Sequence, residues 1–140
     1  MDQILDRLWL GTFADAAAFA EPTTQMFPLS AILTLCEAKP VVAQGIEHIH
    51  APIPDEVYLP RAVWVELVHA LTTLLHDGHT VLVHCRLGVS RSPALVAAYL
   101  ARCGHSRDLA AALVYLVARR GCVAPHAETW RGILDYAQTS

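Results

Sequence analysis

Lysine is almost missing from this chain: Lys39 stands alone and arginine carries the rest of the basic charge. With a formal net charge of −3 and no basic cluster beyond Arg119-Arg120, nucleic acid is not expected as a general partner. Long hydrophobic runs are missing too. The longest apolar stretches, such as residues 109–118, fall well short of the roughly 20 residues a membrane helix needs, so no membrane span is expected. The N-terminus, MDQILDRLWLG, lacks a basic region followed by an apolar core, so a cytoplasmic location is expected. Cys36, Cys85, Cys103 and Cys122 form no C-x-x-C pair and read as thiols of a reducing compartment, not as a disulfide framework. His48 and His50 share one strand face but have no carboxylate or cysteine at ligand spacing; no metal is expected, and the pair reads as a solvated face. Repeats, low-complexity tracts and linkers are absent, which points to one domain over residues 1–140, expected to be a monomer without cofactor.

What the chain does contain is concentrated in VLVHCRLGVSRSPALVAAYL, residues 81–100. Residues 80–83 are β-branched and apolar and predict a buried strand, while Ser92-Pro93 predicts an N-cap followed by proline at the first helical position. Between them, Cys85, Arg86, Leu87, Gly88, Val89, Ser90 and Arg91 leave room only for a compact loop. Such a loop turns successive backbone N–H groups into a concavity at a helix N-terminus, where unpaired donors and the dipole favour an anion. The same surroundings favour a thiolate at Cys85, and Arg91 can fold its planar guanidinium back to hold two oxygens of a phosphate. Taken alone, a cysteine after a strand is an ordinary core residue. Gly88, Arg91 and Ser92 in register with Cys85 turn the reading towards catalysis.

The stretch His84-Cys85-Arg86-Leu87-Gly88-Val89-Ser90-Arg91-Ser92 resembles the HCxxGxxR-[Ser/Thr] signature of cysteine-dependent protein tyrosine phosphatases, most closely the dual-specificity branch. The resemblance implies that Cys85 attacks phosphorus to give a phosphocysteine and that Arg91 holds the transferring group. The amides of residues 86–91 would bind its oxygens, and the Ser92 hydroxyl would help the sulfur leave. His84 would sit behind the loop, ordering it and favouring the thiolate. The Arg86 side chain is left to solvent. Phosphoryl transfer also needs an acid for the leaving oxygen. In HIHAPIPDEVYLP, Asp55 follows a strand, lies thirty residues before Cys85 and is similar in context to the family's general acid. Glu56 is its nearest competitor, and capping of the next helix is the structural alternative for Asp55. LDRLWLGTFADA and the Arg…Pro segment ending at Pro125 are similar to other parts of the family; His126, where the family often has asparagine, is read as neutral for chemistry.

The remaining pattern predicts strands over residues 4–10, 31–35 and 47–53 and a short helix over 15–19. An amphipathic helix, opened by Pro60, carries Leu59, Val63, Leu67, Leu71 and Leu74 on one face. Helices follow after Pro93 and over residues 106–120 and 128–137. The expected architecture is α/β, a central and largely parallel sheet flanked by helices on both faces, dual-specificity phosphatase-like, with the site at the carboxyl ends of the strands. The expected substrate is a phosphorylated protein or small phosphomonoester: phosphotyrosine and, less selectively, phosphoserine or phosphothreonine. Two other readings stay open, a rhodanese-type sulfurtransferase and a catalytically weak phosphate-binding module. Cys36 is the candidate for a resolving thiol that traps oxidised Cys85.

Overall fold

The computed structural model describes residues 1–21 and 28–138. Ten elements follow in chain order: β1 (Asp2–Leu5), β2 (Leu8–Gly11), α1 (Phe13–Ala17), β3 (Ala31–Thr34), β4 (Glu47–His50), α2 (Arg61–His76), β5 (Val81–His84), α3 (Arg91–Arg102), α4 (Leu109–Arg119) and α5 (Ala127–Gln138). The strands form one sheet in the order β1-β2-β5-β3-β4, antiparallel only at β1–β2. The expected α/β architecture with a largely parallel sheet is therefore present.

Strand alternation divides the core. Leu8, Leu10, Ala31, Leu33, Val81 and Val83 face the larger cluster, with Trp64, Leu71, Leu95, Leu116 and Ile133 from α2–α5. On the opposite side Ile32 and Leu82 meet Ala16, Phe19 and Leu29. Helices thus cover both faces, four on one and the five-residue α1 on the other. Central β5 is buried at every residue, which is why its sequence runs apolar without alternation.

Several boundaries differ from the sequence reading. Residues 4–10 are not one strand but parts of the two strands of a hairpin: the turn Asp6-Arg7 breaks the run, and Arg7 Nη1 donates to the carbonyls of Leu75 and His79. Helix α1 begins at Phe13, because Thr12 and Asp15 cap it reciprocally. Helix α4 begins at Leu109, since Asp108 accepts from the Ala111 amide, while Ser106 is buried before it. The main correction concerns Ser92-Pro93. Helix α3 starts two residues earlier, with Ser90 as N-cap and Pro93 third in the helix. The first-turn amides have no intrahelical acceptor, so a proline costs nothing there, and the Ser92 hydroxyl is turned to Cys85.

Register places the site. Gly11 of β2 and Thr34 of β3 both pair with His84 of β5, and Thr34 pairs with His50 of β4. The segments that leave these strands, including Cys85, Cys36 and Asp55, therefore emerge at one sheet edge.

Candidate active site

Cys85 follows β5 directly and is 3 % exposed; its Sγ lies 3.2 Å from Ser92 Oγ. The loop after it is shaped from outside. Cys85 O accepts from His84 Nδ1 at 2.9 Å, Arg86 O from the Phe13 amide at 2.9 Å, and Leu87 O and Gly88 O from Arg120 Nη2 and Nε at 3.0 and 2.9 Å. Val89 O accepts from the Ala124 amide at 2.8 Å. In a trans peptide the N–H points opposite to the preceding C=O. Five successive carbonyls held outward therefore turn the amides of Arg86 through Ser90 inward, above the thiol. Among the described residues none of these amides donates to a protein atom. Gly88 is required twice over: its φ is +67°, and a Cβ there would lie 2.5 Å from Gly11 O.

Arg91 opens α3 at 3 % exposure. Its Nη1 donates to Ile53 O at 3.0 Å and to both Glu37 oxygens at 3.3 and 3.4 Å. Its Nε is buried without a hydrogen-bond partner, 3.6 Å from Asp55 Oδ1. One edge of the guanidinium is thus anchored, while a buried donor of a side chain that lines the same cleft as Cys85 stays unspent, a costly arrangement unless a ligand takes it up.

Asp55 is 45 % exposed and accepts from the Glu56 amide at 3.0 Å. It does not cap α2, whose N-cap is Pro60. Glu56 holds the one positive φ among the described non-glycine residues, 59°. Asp55, Glu56, Cys85, Arg86, Val89, Arg91 and His126 line a cleft of about 270 Å³. The Arg86 side chain is exposed, and Leu87 is 65 % exposed at the rim. Larger hollows, about 580 and 520 Å³, lie away from the thiol, behind β1 and α4 and between α3 and α5.

His84 is fully buried and its ring is pushed down in pKa by burial, so it is a neutral imidazole near pH 7. It orders the Cys85 carbonyl but brings no positive charge to the sulfur, a narrower part than the sequence reading gave it. His48 and His50 are half-buried, not a solvated face: His48 Nε2 lies 2.8 Å from Thr34 Oγ1 and His50 Nε2 lies 2.9 Å from Cys36 O. Cys36 is buried, donates to Ala38 O at 3.4 Å, and is pushed up by burial, with Arg91 opposing. Both Cys36 and Cys85 are free thiols. His126 lines the cleft; its amide donates to Ser90 Oγ and its Nδ1 accepts from the Glu128 amide.

The sequence reading assembled Cys85, Arg91, Ser92 and Asp55, and these four do come together. It missed Arg120 and Glu37. Arg120, gripped by Asp2 Oδ2 at 2.7 Å, enters the sequence reading as half of a basic pair and within the Arg…Pro segment, with no role at the loop. The signal available was its spacing to Pro125, since Ala124 and Arg120 hold adjacent loop carbonyls.

Comparison with known proteins agrees with this geometry. A family model described as dual specificity phosphatase, catalytic domain, matches residues 8–139. Dual specificity protein phosphatase 2 of Mus musculus is 28 % identical over 126 residues, which cover 89 % of this chain and 39 % of that protein. Dual specificity protein phosphatase 14 of Homo sapiens is 33 % identical over 91 residues, covering 64 % and 46 %. The chain thus spans less than half the length of these two relatives. Among solved structures, a mouse putative dual specificity phosphatase complexed with zinc tungstate superposes with a TM-score of 0.83 at 25 % identity, covering 99 % of this chain and 86 % of that one. The human tyrosine phosphatase-like serine/threonine/tyrosine-interacting protein gives 0.85 at 27 %, covering 99 % and 96 %.

Proposed function

The chain belongs to the dual specificity phosphatase family, and from that premise we propose that it hydrolyses phosphomonoesters through a phosphocysteine on Cys85. The observation that carries the reading is the thiol at the floor of an outward-anchored loop whose inward amides are unspent. A phosphoryl group bound by those amides and by Arg91 brings phosphorus over Sγ. The S–P bond forms as the P–O bond to the leaving group breaks, and Asp55 gives its proton to the departing oxygen. In the second half Asp55, now a carboxylate, takes a proton from the attacking water. The S–P bond breaks to release phosphate, with the Ser92 hydroxyl donating to the departing thiolate across 3.2 Å.

The substrate class is phosphotyrosine and, less selectively, phosphoserine or phosphothreonine, carried on a protein or a small phosphomonoester. A cleft of about 270 Å³ with an open acid side fits such tolerance. We read residues 1–140 as one monomeric domain of a reducing compartment such as the cytoplasm, with no nucleic-acid partner; its cysteines are free. None of the described helices is long and apolar enough to cross a membrane.

A sulfurtransferase would have no use for Asp55 beside the arginine. A phosphate-binding module without turnover keeps more weight, because a structural neighbour is itself described as a phosphatase-like interacting protein. Cys85→Ser decides between turnover and binding. It should lower aryl phosphate hydrolysis by about 10⁴-fold or more while tungstate still binds. Hydrolysis near the wild-type rate would remove Cys85 as the nucleophile, and a wild-type protein that binds tungstate without turnover would favour the module.

A further inference from the structure

The carbonyl that begins the anion cradle is held by a chain of groups extending to the outer strand of the sheet. Cys85 O can only accept, so His84 Nδ1 carries a proton and donates to it across 2.9 Å. Because His84 is neutral, its Nε2 is bare and accepts from Thr34 Oγ1 at 2.7 Å. The Thr34 proton is then spent, and what its oxygen has left is lone pairs. His48 Nε2, 2.8 Å away, must therefore be the N–H that donates to Thr34. Each bond fixes the direction of the next: His48 to Thr34 to His84 to Cys85 O. Thr34 and His84 are fully buried, so water cannot replace a missing partner.

We propose that His48 is a positioning residue for the thiol loop, acting through the Thr34 hydroxyl to keep His84 in the tautomer that holds the Cys85 carbonyl away from the anion site. The proposal rests on the phosphatase reading for its catalytic consequence, though not for its structural one. Groups that bear on the chain from neighbouring elements are Lys39 and His50, which face His48, and Asp15 of α1, which faces His84 together with the edge of the Phe13 ring. Without the His48 donor, Thr34 is free to accept from a protonated His84. A proton then adds at Nε2 more readily, with Nδ1 still donating to Cys85 O, or the ring's single proton moves to Nε2, and in that tautomer the loop carbonyl loses its donor.

The test is the titration of the His84 ring followed by NMR, with aryl phosphate kinetics beside it. His48→Phe should raise the His84 midpoint by about half a unit and lower kcat by about five- to tenfold. His48→Gln, which retains an N–H, should restore both. In a Thr34→Val background, His48→Phe should have no further effect on the midpoint, since the route between the rings is already cut. An unchanged midpoint in His48→Phe, or the same shift with Thr34 absent, would overturn the proposal. Should His48→Phe not fold, nitrogen-detected tautomers of the wild-type protein decide: protons on His84 Nδ1 and His48 Nε2 are required, and the opposite assignment refutes the chain. The titration needs no turnover, so a wild-type protein inactive on aryl phosphate would reject the phosphatase reading and leave this measurement standing.

Discussion

The loop from Cys85 to Arg91 and the segment around Asp55 face each other across one cleft, yet they are built in opposite ways. Every carbonyl from Cys85 to Val89 is held by a donor outside the loop, and the thiol and Arg91 are buried. Asp55 is half-exposed and accepts from the next residue's amide, and Glu56 beside it sits in the left-handed region. The difference separates two tasks. Binding a phosphate dianion needs fixed dipoles that require no reorganisation. Protonating leaving groups of different size needs an acid that can adjust. The tolerance proposed for the substrate therefore comes from the acid side, and the affinity for phosphate from the loop side.

Breaking each side should have a different signature. The largest effect after loss of the nucleophile belongs to Asp55→Asn, which should cost about 10²- to 10³-fold with alkyl phosphates and much less with a nitrophenyl phosphate, whose oxygen leaves without a proton. A steady-state comparison across leaving groups reads this, and equal losses would turn attention to Glu56. Arg120→Met removes the donors to Leu87 and Gly88. About ten- to a hundredfold should be lost from kcat/KM irrespective of leaving group, with tungstate affinity falling in parallel. A leaving-group-dependent loss there would undo the division between the two sides. The smallest effect is expected for Glu56→Gly, which relieves a strained backbone worth about 1 kcal/mol. Thermal unfolding should move up slightly, with turnover changed no more than a few-fold. A large loss would mean that the acid segment is as tightly specified as the loop.

How much of this was legible depends on how far apart in the chain the cooperating groups lie. Cys85, Gly88, Arg91 and Ser92 lie on one short loop and the first turn of the helix that follows it, so their spacing states their geometry. Asp55 was reachable because a strand end followed by an aspartate recurs at a set distance before the thiol. Arg120, Glu37, Thr34 and the amides of Phe13 and Ala124 could not be read in the same way, because each reaches the loop only through the sheet order and the helix packing. The Ser92-Pro93 error has a local cause. Two serines compete for the cap, and propensity cannot tell that Ser92 is spent on the sulfur and Ser90 on the His126 amide. The β1–β2 hairpin was hidden because its two strands, flanking a turn of only Asp6-Arg7, read as a single apolar run.

The claim at the centre is that phosphate passes through the Cys85 sulfur, and Ser92→Ala tests it most directly. Removing the hydroxyl 3.2 Å from Sγ should leave formation of the intermediate nearly intact and slow its breakdown. Rapid-quench kinetics should then give a burst of aryl product equal to the enzyme, and peptide mass spectrometry should find the phosphoryl group on the Cys85 peptide. Turnover without a burst, with phosphate on no peptide or on a peptide lacking Cys85, would contradict the account.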